Sequence, residues 1–246
     1  MFFMGCFFYP LGLAAFIYVA NNLAILEQFQ QAAARYVTVD ASVFLYYCSF
    51  QGAAAYLLTA FVGPSLISPD IVNGALPLYL GRPFSRVEYL LGKMSVLVIL
   101  LSTITWIPGL ILFGLQVGLA GGSWFVANWT LGAGMVAGFL MWLLVLSLVA
   151  MASSAYVRWR VVAAAVSLAF FFILSGVAAM IDEVLRVTWG HIIDPAWAVN
   201  RIWCVLLGVE APRGPGAGAS AVALVVMVVL LVVVIERKLR PVEVVS

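Results

Sequence analysis

Long apolar runs separated by short polar stretches make up most of the chain. Each run is about as long as the roughly 20 residues that a helix needs to cross a bilayer core. Regular alternation of apolar and polar residues, which is typical of barrel strands, is absent. Because only helices and closed barrels span membranes, the pattern predicts an all-α polytopic protein with six transmembrane helices. The predicted spans cover about 3–26, 43–67, 94–119, 129–154, 161–181 and 219–236.

Composition also indicates a membrane protein. The 246 residues are 65% hydrophobic and only 9% charged, whereas a soluble domain is usually about 25% charged. Cys6, Cys48 and Cys204 lack the spacing of a metal site or a disulfide framework, and we interpret them as apolar packing residues. The net charge of +2 comes largely from the predicted cytoplasmic loops, so it does not indicate a nucleic-acid partner.

The distribution of basic residues predicts the orientation. Because cytoplasmic loops carry an excess of Lys and Arg, the loops after spans 2 and 4 and the C-terminus are predicted to be cytoplasmic. An even number of spans places the N-terminus there as well, in a multi-pass protein of the cell (inner or plasma) membrane. The predicted cytoplasmic group is Arg82, Arg86, Lys93, Arg158, Arg160, Arg237, Lys238 and Arg240, and the opposite group is Arg35, Arg186, Arg201 and Arg213.

Candidate chemistry is sparse. None of the predicted windows has a Lys, Arg, Asp, Glu or His in its interior, which disfavours a proton-driven carrier because such carriers usually need an ionisable group at depth. We interpret His191 as a loop-packing residue and the adjacent carboxylates Asp182 and Glu183 as a solvated rim. Gly92 and Lys93 approach a P-loop, but the first glycine and the following Ser or Thr are missing. We therefore predict no catalytic, metal or cofactor site in this chain.

One polar segment, SPDIVNGALPLYLGRPFSRVEYLLGK, runs from Ser68 to Lys93 and holds five of the 22 charged residues. Its SPD start predicts a short helix, because a hydroxyl cap, a proline at the first position and an acid near the positive end all favour one. Pro77 keeps that helix short. Ser85 and Glu88 form a capping box that predicts the start of span 3. The residues alone leave two interpretations open, an interfacial anchor or a docking element for a cytoplasmic partner.

The segment resembles the loop between spans 2 and 3 of ABC transporter permeases of the type-2 export class. An acidic residue, an NGAL-LYL core, an RP turn and an SR-EYLLGK helix start recur in that loop. The resemblance covers about 26 residues, and the six-span layout extends it to one permease domain over residues 1–246. YVRWRVVAAA resembles the second cytoplasmic turn of the class, and the outer segment 182–208 resembles its pair of short re-entrant helices. Members usually begin with a cytoplasmic amphipathic helix, whereas this chain opens with MFFMGCFFYP.

The resemblance implies the membrane-spanning subunit of an ATP-driven exporter, embedded in membrane lipids and without enzymatic activity of its own. Two copies of a cytoplasmic ATP-binding subunit would carry the ATP and Mg, and a second permease copy or a paralogue would complete the pathway. The implied ATPase-docking residues are Asp70, Asn73, Gly74, Leu76, Leu78, Tyr79, Arg82, Pro83, Ser85, Arg86 and Glu88. Those implied for the second cytoplasmic turn are Arg158, Trp159 and Arg160.

Two other functions stay open. One is a membrane anchor or assembly factor without a transport cycle. The other, less favoured, is an intramembrane lipid-modifying enzyme, against which the lack of a convergent set of ionisable residues argues. The sequence indicates neither the transported substrate nor the residues that would bind it.

Overall fold

The computed structural model describes residues 2–22, 39–64, 86–157 and 159–239. These residues form helices joined by turns, with no strand among them. In chain order the helices are Phe2–Gly5, Phe8–Ala20, Ala41–Val62, Arg86–Ser102, Trp106–Ala120, Gly122–Tyr156, Arg160–Leu185, the 3₁₀ helix Gly190–Ile193, Pro195–Leu207 and Ala217–Leu239.

Six helical segments are long and apolar enough to cross a membrane, which confirms the predicted all-α polytopic fold. We number them spans 1 to 6: Phe2–Ala20, Ala41–Val62, Glu88–Ala120, Gly122–Tyr156, Arg160–Leu185 and Ala217–Lys238. Spans 3 and 4 begin several residues before the predicted windows, because a helix continues through polar or small residues that an apolar window leaves out. The predicted coupling loop 68–93 is described only from residue 86 onwards, so the predicted coupling helix lies outside the described residues.

Span 4 forms the centre of the bundle. Its most apolar window is 67% buried, whereas the corresponding windows of spans 1 and 6 are each 17% buried. Span 4 packs against spans 2, 3, 5 and 6. Spans 1 and 6 therefore expose most of their apolar surface to the surroundings of the bundle.

A short helix between spans 5 and 6 packs into the bundle. Asp194 caps its start by accepting hydrogen bonds from the backbone N–H groups of Ala196 and Trp197 at 2.9 and 3.2 Å. Gly208 ends it in the left-handed conformation, with a φ of 70°. We call Pro195–Leu207 the inserted helix. Of the predicted outer segment 182–208, the first residues belong to the end of span 5, and the remainder holds the 3₁₀ helix and the inserted helix.

Trp203 of the inserted helix lies between Gly52, near the middle of span 2, and Gly138 of span 4. A Cβ on Gly52 would lie 2.9 Å from the Cη2 atom of Trp203, and a Cβ on Gly138 would overlap the indole nitrogen. A Cβ on Gly134 would lie 2.8 Å from the carbonyl oxygen of Leu206. Glycines four residues apart let helices approach closely. The inserted helix therefore sits directly on span 4 and reaches the level of the middle of span 2.

Spans 1 and 3 each consist of two helices rather than one. Span 1 is interrupted at Cys6 and Phe7, and span 3 is interrupted at residues 103–105. The predicted windows ran through both positions without a break. Pro10 and Pro108 explain the interruptions, because a proline removes the hydrogen bond to the carbonyl four residues before it and its ring clashes with that turn.

Candidate functional site

A cavity of about 260 Å³ lies between spans 2, 4 and 5 and the inserted helix. Its wall is largely apolar, with a few polar side chains, which is typical of small-molecule sites in proteins. The aromatic residues are Tyr56, Trp142, Phe171, Phe172 and Trp203, the polar residues are Ser49, Ser175 and Asn200, and the remainder are Gly52, Ala53, Ala196 and Val199.

Hydrogen bonds hold two of the aromatic rings in place. The Tyr56 hydroxyl donates to the carbonyl oxygen of Leu168 at 2.6 Å, and Trp142 Nε1 donates to the carbonyl oxygen of Gly52 at 3.0 Å. Phe171 lies edge-on to both rings, with its centroid 4.9 Å from that of Tyr56 and 5.4 Å from that of Trp142. Edge-on pairs of this kind are favourable, so the aromatic wall is preformed.

The polar side chains lie where the cavity opens to the surface of the bundle. Ser49 is exposed, and Ser175 and Asn200 are partly exposed. The Ser49 hydroxyl donates to the carbonyl oxygen of Leu45 at 3.0 Å, which satisfies it within its own helix. An amide that faces hydrocarbon is costly. Asn200 is partly satisfied within the inserted helix, because its Oδ1 atom accepts from the Cys204 thiol at 3.7 Å.

Most of the predicted docking residues cannot be compared with the structure. Asp70, Asn73, Gly74, Leu76, Leu78, Tyr79, Arg82, Pro83, Ser85 and Arg158 lie outside the described residues. Arg86 and Glu88 lie in the first helix of span 3, which is helical from the first described residue onwards. Ser85 lies outside the described residues, so the capping box stays a prediction. Trp159 is 76% exposed. Arg160 begins span 5.

These described residues lie at one end of the bundle, which we call the basic end. The Ser154 hydroxyl donates to the carbonyl oxygen of Pro64 at 3.2 Å and joins the ends of spans 4 and 2. The Tyr156 hydroxyl donates to the carbonyl oxygen of Val234 at 3.2 Å, and Lys238 Nζ lies 5.3 Å from the Tyr156 ring centroid. Spans 4 and 6 therefore end side by side. The described basic residues at this end are Arg86, Lys93, Arg160, Arg237 and Lys238.

The opposite end of the bundle corrects one interpretation. Asp182 does not belong to a solvated rim: its carboxylate accepts from the backbone N–H of Gly190 at 2.6 Å and lies 2.5 Å from Nδ1 of His191. Only 17% of its side chain is exposed. Glu183 is exposed, as expected. Adjacent residues on a helix point in different directions, and Asp182 alone of the two faces the returning chain. The contacts of Asp182 with Gly190 and His191 hold the 3₁₀ helix against the end of span 5.

The cavity residues are the ones that sequence reasoning missed. Aromatic side chains are as acceptable facing lipid as facing a cavity, so Tyr56 and Trp142 carry no signal in the sequence. Asn200 carries a signal that the sequence does show, because it and Arg201 are the two polar residues in the otherwise apolar stretch AWAVNRIWCVLL. Its significance depends on the inserted helix, whose packing against four spans is a tertiary property.

The remaining observations concern metals and known proteins. Within the described ranges, no group of three or more His, Cys, Asp and Glu side chains is placed to hold a metal ion. No protein-family model matches the chain, and no curated protein matches it significantly.

Proposed function

We propose that this polytopic membrane protein is the permease subunit of an ATP-driven ABC exporter. The observation that carries the proposal is the position of the two flanks of the segment Ser68–Lys93. Pro64, before the segment, contacts the end of span 4. At the other end of the segment, Leu90 within it and Met94 just after it line a small cavity together with Ile235 near the end of span 6. Both flanks therefore lie at the basic end, and an excess of Lys and Arg predicts that this end is cytoplasmic.

In this proposal the segment that resembles a coupling loop joins spans 2 and 3 where a cytoplasmic ATPase can reach it. Two copies of that ATPase would close on ATP and move the attached bundles as rigid bodies. A second permease copy or a paralogue would lie across the pathway. The polar opening of the cavity at Ser49, Ser175 and Asn200 fits a surface that faces such a pathway rather than lipid.

The test is whether a Walker-type ATPase co-purifies with the chain from its native membrane. Leu78→Asp combined with Tyr79→Asp would place two charges on the apolar surface that the partner must bury. The matched control, Val184→Asp with Leu185→Asp, places two charges on residues that are exposed at the opposite end of the bundle. We expect the first variant to lose the ATPase and the control to keep it, with both eluting as folded protein in size exclusion.

Two results would contradict the proposal. A folded Leu78→Asp, Tyr79→Asp variant that keeps wild-type amounts of the ATPase would show that the loop is an interfacial anchor. We also expect the purified chain alone to hydrolyse no ATP. Robust hydrolysis by the isolated chain, with contaminating ATPases excluded by mass spectrometry, would show that the energy does not come from a partner.

A further inference from the structure

The prolines of spans 1 and 3 each leave one backbone carbonyl without its helical donor. A proline has no N–H group, so the carbonyl four residues before it loses its usual hydrogen bond. For Pro10 that carbonyl belongs to Cys6, and for Pro108 it belongs to Ile104. Both residues are buried. A buried carbonyl without a donor is destabilising, so both helix breaks need a donor from elsewhere.

A single side chain of span 2 supplies both donors. Gln51 Nε2 donates to the carbonyl oxygen of Cys6 at 3.0 Å and to that of Ile104 at 2.8 Å. The side-chain amide has two N–H groups, and both are used. Gln51 is fully buried, and its Oε1 atom has no hydrogen-bond partner in the described part of the chain. An apolar residue would avoid that buried, unpaired acceptor, so the value of Gln51 at this position lies in its two donors.

Tyr47, one turn before Gln51, holds the same break in span 3. Its hydroxyl donates to the carbonyl oxygen of Thr105 at 2.6 Å, and the side chain is fully buried. One face of span 2 therefore contacts both consecutive carbonyls of the span 3 break. Of these two side chains, only Gln51 donates a hydrogen bond to the break in span 1.

The helices that follow the two prolines pack as a pair. Phe8–Ala20 of span 1 and Trp106–Ala120 of span 3 lie against each other. At their far end, Asn21 Nδ2 donates to Gln116 Oε1 at 2.8 Å. We call these two helices the two-helix arm. Its near end is formed by the two breaks, and both breaks are joined to span 2 at Gln51.

We propose that Gln51 is the latch that couples the two helix breaks, so that spans 1 and 3 bend at these breaks together. Helix breaks of this kind are the positions at which a membrane helix can bend. With the latch closed, both breaks are held in the conformation seen here. Loss of the two Gln51 hydrogen bonds frees both breaks together, because one side chain serves both. This inference does not depend on the proposed export function.

The test is hydrogen exchange of the chain in lipid nanodiscs, followed by mass spectrometry over residues 2–12 and 99–110. Gln51→Leu keeps an apolar side chain of similar size and removes both donors. We expect amide exchange at both breaks to rise about tenfold or more. Once the two buried carbonyls lose their donors, the backbone at each break opens more often and exposes its N–H groups to exchange. The control is Gln116→Leu, which removes the other buried glutamine of this region but leaves both proline sites unchanged. It should not raise exchange at either break.

The prolines provide a rescue. Pro10→Ala and Pro108→Ala restore the helical N–H donors to the carbonyl oxygens of Cys6 and Ile104. Adding them to Gln51→Leu should therefore return exchange at both breaks close to the wild-type rate. If Gln51→Leu alone yields no folded protein, recovery of folded protein by the two replacements gives the same answer. Increased exchange at only one break, equal increases in the Gln116→Leu control, or no rescue by the two alanines would each overturn the proposal.

Discussion

Replacing Gly138 by alanine should displace the inserted helix from the centre of the bundle. The new methyl group would overlap both the indole nitrogen and the Cδ1 atom of Trp203, and Cε2 of the same ring would be 3.3 Å away. The ring has little room to move. Its far edge already lies against Gly52, and Phe139 packs edge-on with its ring centroid 5.2 Å from that of Trp203. Trp203 itself is only 4% exposed.

The expected cost follows from overpacking of a tight interior. Inserting a methyl group into such a site typically costs about 1 to 3 kcal/mol. Alanine also has a higher helix propensity than glycine, by roughly 0.8 to 1 kcal/mol inside a helix. This gain offsets part of the packing cost, so the control variant must include it. Gly114→Ala provides it, because Gly114 lies inside a helix of span 3 and a Cβ there would have no neighbour within 4 Å. Gly138→Ala should therefore be less stable than Gly114→Ala by about 1 to 3 kcal/mol.

The free energy of unfolding can be measured by detergent titration in mixed micelles, with helix content followed by circular dichroism. Adding Trp203→Phe to Gly138→Ala should recover part of the lost stability, because phenylalanine lacks the pyrrole ring that the methyl group meets. Equal stability of Gly138→Ala and Gly114→Ala would refute this account of the packing. A double variant whose losses simply add would do the same, since contacting residues should couple.

Two further predictions concern the ends of the bundle. In a background without the native cysteines, Gly216→Cys should react with an impermeant thiol reagent outside intact cells, and Trp159→Cys should not. The reason is that positive-inside counting places these two residues on opposite sides of the membrane. The reverse labelling would overturn the predicted orientation. Asp182→Ala should speed trypsin cleavage after Arg186 several-fold, because the carboxylate no longer binds the N–H of Gly190. Asp182→Asn keeps a hydrogen-bond acceptor and should be cleaved more slowly than the alanine variant. Equal cleavage of the wild type and both variants would show that Asp182 does not hold the chain between span 5 and the 3₁₀ helix in place.

The number and the class of the spans could be predicted because they depend on local properties. A bilayer core requires a run of about 20 apolar residues, and such runs are visible in the sequence without knowledge of their neighbours. The inserted helix could also be predicted, since Asp194, Pro195 and Gly208 are start and stop signals that act within a few residues.

The packing of the bundle depended on contacts between distant residues. Gln51 was visible as a polar residue within an apolar span, but its two partners lie 45 and 53 residues away in the sequence. The prolines of spans 1 and 3 were visible too, yet the predicted spans ran through them, because an apolar window records hydropathy and not hydrogen bonding. Only the tertiary structure brings one amide to two interrupted helices.

The sequence by itself determined that the chain is a six-span helical membrane protein, because bilayer thickness sets the length of each apolar run. It did not determine which span is central or which polar residues meet. Span 4 takes the centre because its glycines, among them Gly134 and Gly138, let the inserted helix approach its backbone. In lipid, where all the spans are similarly apolar, hydropathy cannot rank their neighbours, and close steric fit together with a few buried hydrogen bonds decides the arrangement.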